Sequence, residues 1–225
     1  MHITEAVMEQ HQATIMGMLE VNLLGRAAPE SWERLKAQEL EQFRRRWEGY
    51  QRKEALGTSP LACYAEYYRQ FGKTYPVLLQ MESVLVKGRG IRASSLGVET
   101  MFLAEVCHGL LVAGHDRARL GGQYTLDVAA GGESFTNVAG QVRILKRGDL
   151  LLRDGDAILS SVLEGQDRAS SLGCQSQQVF YCVYGVAGVT KEQLQAFFDD
   201  LRRYLLAAYP DADIGAPAYY GGNPA

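Results

Sequence analysis

SSLGVETMFLAEVCHGLLVAGHDRARLGG, residues 94–122, is the stretch on which the reading of this chain turns. Val98, Met101, Phe102 and Val106 recur at helical spacing and form one apolar stripe. Residues 110–113 then read as a short apolar strand, followed by the charged turn Gly114-His115-Asp116-Arg117 and the double glycine Gly121-Gly122. A helix feeding a buried strand and then a run of short strands belongs to an α+β fold, not to a βαβ alternation.

Upstream, residues 13–24 (ATIMGMLEVNLL) read as a buried strand closed by Gly25. Ser31 is placed to cap a helix whose apolar side is Trp32, Leu35, Leu40, Phe43, Trp47 and Tyr50. Its other side carries Arg44, Arg45 and Arg46, then Arg52 and Lys53, with Glu39, Glu41 and Glu48 at spacings that pair them on a solvated face. Gly57-Thr58-Ser59-Pro60 marks a junction. Residues 61–71 form the next helix, where Tyr64, Tyr67 and Tyr68 are expected to pack with their hydroxyls in water. A helix over residues 75–86 leads to the basic loop KGRGIR, residues 87–92.

Downstream, residues 123–128 and 134–138 read as strands of a hairpin about Gly131-Gly132, with 142–145, 150–153 and 157–163 extending the sheet. A polar, serine-rich stretch over 164–178 precedes the buried strand VFYCVYGV, residues 179–186. Thr190 caps a last helix carrying Leu194, Phe197, Phe198, Leu201 and Leu205, and the tail from Pro210 is expected to be loosely ordered. The expected fold is therefore α+β, a central mixed or antiparallel sheet sandwich with flanking helices.

Composition narrows the function classes. The chain has 225 residues, 47% of them apolar and 22% charged, and a formal net charge of −3, which disfavours broad nucleic-acid binding. Cys63, Cys107, Cys174 and Cys182 form no CxxC pair, and His2, His11, His108 and His115 show no metal-ligand spacing, so no metal and no cofactor are expected. No glycine-rich phosphate motif precedes a helix. Without a signal core or a membrane span, the expectation is a cytoplasmic protein with reduced thiols and no membrane partner.

Several segments together resemble the B3/B4 domain of the phenylalanyl-tRNA synthetase β subunit, and the stand-alone proteins built from it. They are YAEYYRQFGKTYP (64–76), VLVKGRGI (84–91), GLLVAGHDRARLGG (109–122), RGDLLLRDGDAILSS (147–161), GQDR (165–168) and VFYCVYGV. The resemblance implies a B3/B4-like domain over 60–209, a strand-and-helix extension over 1–59 packed on it, and a tail over 210–225. In the synthetase the domain holds an editing pocket that hydrolyses wrongly attached tyrosine from tRNA. The family's Thr-Asn pair and His fall here on Met101, Phe102 and Ala113, all apolar, while His115 takes the place of an aromatic residue.

Two functions follow. One is a stand-alone editing-domain homologue that binds tRNA or the end of an aminoacyl-tRNA and, if it is an enzyme, hydrolyses a mischarged aminoacyl ester. The other is a non-catalytic RNA- or protein-binding module, or a pocket for an amino-acid-like small molecule. Catalytic candidates are Glu164, Asp167 and His115; substrate-binding candidates are Glu99, Asp116, Ser160, Ser161, Gln166 and Arg168. Arg44, Arg45, Lys87, Arg89 and Arg92 are the candidate RNA contacts. Structural roles compete with several of these: Asp116 as a turn cap, Asp167 as a loop brace.

Overall fold

The computed structural model describes residues 1–222. β1 (His2–Ile3), α1 (Glu5–Gln10) and β2 (Ile15–Asn22) precede the long α2 (Pro29–Arg46). The single turn α3 (Arg52–Ala55), then α4 (Leu61–Gln70) and α5 (Pro76–Leu85), lead to α6 (Leu96–His108) and β3 (Val112–Asp116). A 3₁₀ turn at Arg117–Arg119 opens the strand-rich half: β4 (Tyr124–Val128), β5 (Ser134–Thr136), β6 (Val142–Ile144), β7 (Leu150–Asp154), β8 (Ala157–Ser161) and β9 (Gly165–Gln166). β10 (Gln178–Gly185), α7 (Lys191–Ala208), β11 (Asp213–Ile214) and β12 (Ala218–Gly221) complete the chain.

The strands make two principal sheets, ordered β1-β4-β7-β8-β9 and β11-β2-β10-β3, with β12 also paired to β2. All pairings are antiparallel except β1 with β4, so the fold is α+β with a mixed sheet among its layers. Side chains alternate along β10. Tyr181 reaches α6, its hydroxyl donating to the Gly97 carbonyl at 3.0 Å. Phe180 faces the other way and stacks on Tyr124 of β4 at 4.5 Å between ring centroids. The second sheet thus lies between a helical layer and the first sheet, and one apolar core runs through all three layers.

Local chemistry fixes the helix ends. At the start of α6 the Ser95 hydroxyl accepts from the Val98 amide, and Gly109 closes the helix in the left-handed region at φ 65°. A Cβ at Gly109 would also meet Leu61 Cδ2 at 2.7 Å, so glycine is required twice over. Thr190 and Gln193 form a reciprocal capping box on α7, with Gln193 in the third helical position. α2 begins earlier than the serine suggested: Pro29 occupies its first turn after Ala28.

Four other expectations are corrected. β4 and β5 do not pair across Gly131-Gly132; β4 lies between β1 and β7, and β5 pairs with β6 in a separate ribbon. As far as Gly222 the tail is ordered, with β11 and β12 on β2, which its short, turn-separated apolar residues did not announce, while residues 223–225 lie outside the described residues. β2 is an interior strand, so residues 1–59 contribute to the sheet itself. The tyrosine hydroxyls of α4 are dry: Tyr64 donates to the Tyr184 carbonyl, Tyr67 to Asp149 Oδ1 at 2.8 Å, and Tyr68 to the Val162 carbonyl. Buried strand ends and a buried carboxylate need donors, and this helix supplies them.

Gly17 in the middle of β2 lets α7 approach: a Cβ there would stand 2.6 Å from Phe198 Cε2 and 3.0 Å from Leu194 Cδ2. Both side chains are fully buried and have no room to yield. Gly17→Ala is expected to destabilise the protein by about 1–3 kcal/mol, read as a lower urea midpoint with an unchanged m-value. An unaltered midpoint would show that α7 shifts freely on the sheet.

Candidate functional site

Beside β3, where α6 and the first sheet face each other across the edge of the second, lies a cavity of about 550 Å³. One wall is α6, contributing Val98, Met101, Phe102 and Glu105. The opposite wall is Ser160, Ser161, Gly165 and Gln166 from β8 and β9. The buried Val112 and Ala113 of β3 with Tyr184 of β10 form the floor, Pro76 and Gln80 of α5 and the buried Leu172 also line it, and the more exposed Ala93, Ser94 and Val138 lie at the rim. Most of this surface is apolar, with a few convergent polar groups, as small-molecule sites are. Met101, Phe102 and Ala113, where the resemblance places polar editing groups, all line it as apolar side chains.

The polar groups are held in place. The Tyr184 hydroxyl lies 2.6 Å from Ser160 Oγ and donates to the Ser160 carbonyl at 3.1 Å. Gln166 Oε1 accepts from the Gly114 amide at 3.0 Å, tying β9 to β3. Glu105 is 3% exposed and is the one carboxylate among the cavity's residues, which include no Lys, Arg or His. Burial pushes its carboxyl up to about 8, against smaller opposing effects from the Val112 amide and Gln80, so it is largely protonated at neutral pH.

Among the residues singled out from sequence, Ser160, Ser161 and Gln166 come together on the cavity wall. The others are placed elsewhere. Glu99 points to the opposite side of α6, accepting from Trp32 Nε1 at 2.8 Å and Lys36 Nζ at 2.6 Å. Glu164 binds Lys73 and lies 3.9 Å from Arg143 Nε. His115 is fully buried, its Nδ1 2.7 Å from Ser170 Oγ. Ser170 in turn donates to Asp167. Burial opposes ionisation of Asp167, but the nearby His115 imidazole, 3.7 Å away, and the hydrogen bonds from the Ser170 hydroxyl and amide outweigh it and hold its carboxyl below the usual range. His115 Nε2 has no partner among the described residues. Asp116 caps the 3₁₀ turn through the Ala118 amide at 3.2 Å and accepts from Ser176 at 2.9 Å. Arg168 borders a separate shallow cleft with Arg119 and Phe135.

The cationic candidates fall into two groups. Lys87, Arg89 and Arg92 are exposed on the loop that runs directly into Ala93 and Ser94 at the cavity rim. Arg44 and Arg45 lie on α2, away from the cavity, and Arg45 pairs with Glu41 at 3.0 Å. Glu39 does not join them; it accepts from Arg203 and the Tyr204 hydroxyl instead. Among the described residues, no group of three or more His, Cys, Asp or Glu is arranged to hold a metal ion, and no helix is long and apolar enough to cross a membrane.

Glu105, Gln80 and Tyr184 line the cavity but are not among the candidates the sequence marks. The signal for Glu105 was present: it falls three residues after Phe102, four after Met101 and seven after Val98, squarely on the apolar stripe. Gln80 and Tyr184 carry no such mark, since each is brought in by tertiary packing.

No protein-family model matches the chain, and no curated protein matches it. Solved structures do. One is an N-terminal fragment of the phenylalanyl-tRNA synthetase beta-subunit from Pyrococcus horikoshii, 10% identical, with a TM-score of 0.48. The match covers 95% of this chain and 49% of that one, so the chain spans about half of that fragment's length. At that distance the likeness assigns neither family nor function.

Glu105 makes stability depend on pH in a definite direction. Its folded carboxyl titrates at about 8, against about 4.3 for an unfolded glutamate. Between those values the folded chain keeps a proton that the unfolded chain has lost. Stability should therefore fall as pH rises through this window, by at most about 1.4 kcal/mol per unit, and level off above it. Glu105→Gln is expected to match the parent at about pH 4 and to exceed its melting temperature at about pH 8. Parallel melting curves across that range would refute the assignment.

Proposed function

We propose that this chain binds an amino-acid-like small molecule, or the aminoacyl end of a tRNA, in the cavity between α6 and the β8–β9 wall. The observation that carries the proposal is the cavity itself: about 550 Å³, mainly apolar, with Glu105, Gln80, Tyr184 and the Ser160–Gln166 wall as its polar contacts. Its size and lining suit a ligand with an apolar body and a few hydrogen-bonding groups. The cationic 87–92 loop at the rim supports the aminoacyl-tRNA form, because an acceptor end held there would place its phosphates beside Lys87, Arg89 and Arg92.

Binding is favoured over ester hydrolysis. Met101, Phe102 and Ala113 offer nothing to orient a water. Glu164, Asp167 and His115 are committed to Lys73, Ser170 and one another rather than to the cavity.

Equilibrium titration with a panel of amino-acid amides, which mimic an aminoacyl ester without being hydrolysed, tests the reading. Ala113→Phe fills the cavity from its floor and is expected to weaken binding by about tenfold or more, whereas Glu164→Ala and Asp167→Ala, where they fold, leave it in place. In parallel, charged tRNA should bind more weakly as salt rises, and reversal of Lys87, Arg89 and Arg92 should flatten that dependence. Loss of the aminoacyl ester during incubation, abolished by Glu164→Ala or Asp167→Ala, would instead make the chain an editing hydrolase. No amide bound at millimolar concentration would sink the cavity reading.

A further inference from the structure

Two buried acids of this protein, Glu105 and Asp149, lack a cationic partner among the described residues, burial pushes both carboxyls up, and Glu105 is the one that lines the cavity. Asp149, also fully buried, accepts from Tyr67 and from the Leu163 amide, and Glu99 accepts from Lys36, Trp32 and the Ala93 amide. Around Glu105 the polar neighbours are the Val112 amide, 3.4 Å from Oε1, and the Gln80 side chain. The Val112 amide donates to the carboxylate, and Gln80 beside it favours the ionised form. Glu105 donates no hydrogen bond to a described residue, and none of its neighbours brings a positive charge. Its surroundings are thus arranged for a carboxylate but lack the countercharge that a buried carboxylate requires.

The remaining side of Glu105 faces the cavity. Resting on the reading of that cavity as a ligand site, we propose that Glu105 is its specificity-determining residue and receives the protonated amine of the ligand, so that the site takes apolar-bodied primary amines in preference to neutral or anionic molecules. An aminoacyl ester or amide belongs to this class, because it carries an ammonium group and no carboxylate. A free amino acid brings a carboxylate that must stay at the rim, toward Arg92, since nothing inside the cavity is cationic.

The empty site holds Glu105 largely protonated, so an arriving ammonium pairs with it only as its proton leaves for solvent. The other ionisable groups that feel Glu105 are Tyr64 and Tyr68 on α4 and Tyr75 before α5. Burial pushes all three phenols up, so none competes for the proton near neutrality.

Calorimetric titration of the full chain with 2-phenylethylamine and with its neutral counterpart 2-phenylethanol tests the assignment. The amine should bind about tenfold or more tighter than the alcohol. At neutral pH its binding should release a proton, seen as a dependence of the heat on the buffer's ionisation enthalpy. Amine affinity should rise as pH approaches about 8 and then level off, while alcohol affinity falls or stays flat. Glu105→Gln, near-isosteric and uncharged, should remove the amine's advantage and its proton release while keeping the alcohol's affinity. Equal binding of the two probes, or an amine affinity untouched by Glu105→Gln, overturns the role of Glu105 and leaves the cavity reading standing. Failure of both probes to bind, or binding that survives Ala113→Phe, overturns the cavity reading and this inference with it.

Discussion

The constraint on which the structure depends is the burial of β10 on both edges and both faces. It pairs residue by residue with β2 from Gln178↔Asn22 to Gly185↔Ile15, and with β3 from Val179↔Asp116 to Val183↔Val112. A strand with no edge exposed must satisfy every backbone group through its neighbours and every side chain through packing. This dictates VFYCVYGV, a continuous apolar run where a half-exposed strand would alternate. It also sets the layer order, because Tyr181 binds α6 while Phe180 and Tyr184 bind the first sheet. The cavity exists because β3, the partner on one side, is the last strand of its sheet. Beyond it, α6 and the β8–β9 wall have no strand between them.

α6 shows how countercharge decides the state of a buried acid. Glu99 and Glu105 lie six residues apart on one helix, both nearly inaccessible. Burial alone would raise each. For Glu99 the Lys36 ammonium, the Trp32 indole and the Ala93 amide outweigh that effect and bring its carboxyl below the usual range. Among the described residues the buried Lys36 is otherwise paired only with Glu33, so α2 and α6 are joined by an ionic contact that neither helix can leave without stranding a charge. For Glu105 burial prevails. A fully compensated acid serves packing; an uncompensated one against an open cavity is a place where a ligand completes the electrostatics.

The elements that were legible in the sequence are those whose own residues determine them. α6 and α7 follow from apolar periodicity, β2 and β10 from continuous apolar runs, and the start of α7 from Thr190. What was not legible depends on partners distant in the chain. Gly131-Gly132 looks like a hairpin turn in isolation, yet β1 and β7 claim both edges of β4. The tail becomes strand because β2 has an edge to offer near Met16–Met18 and near Val21–Asn22. At the site, a family resemblance directed attention to Met101, Phe102 and Ala113, which do meet at the cavity. The polar residues chosen by proximity to them in sequence mostly did not follow.

The physical reason lies in how polar groups are spent beside an edge strand. The segment after β9 must be fastened to β3, and the fastening consumes the chemistry that looked reactive. His115, Ser170 and Asp167 form one buried chain of hydrogen bonds, the Asp116 amide donates to the Ser170 carbonyl at 2.7 Å, and Asp116 also takes the Ser176 hydroxyl. His115 itself forms an isolated bridge with Ser171. Each of these bonds positions the segment bearing Gln166 and Leu172, which forms part of the cavity wall. The density of Asp, Ser and His in this part of the sequence therefore marks where a wall is anchored. The wall's inner surface, and the acid opposite it on α6, are where a ligand would be read.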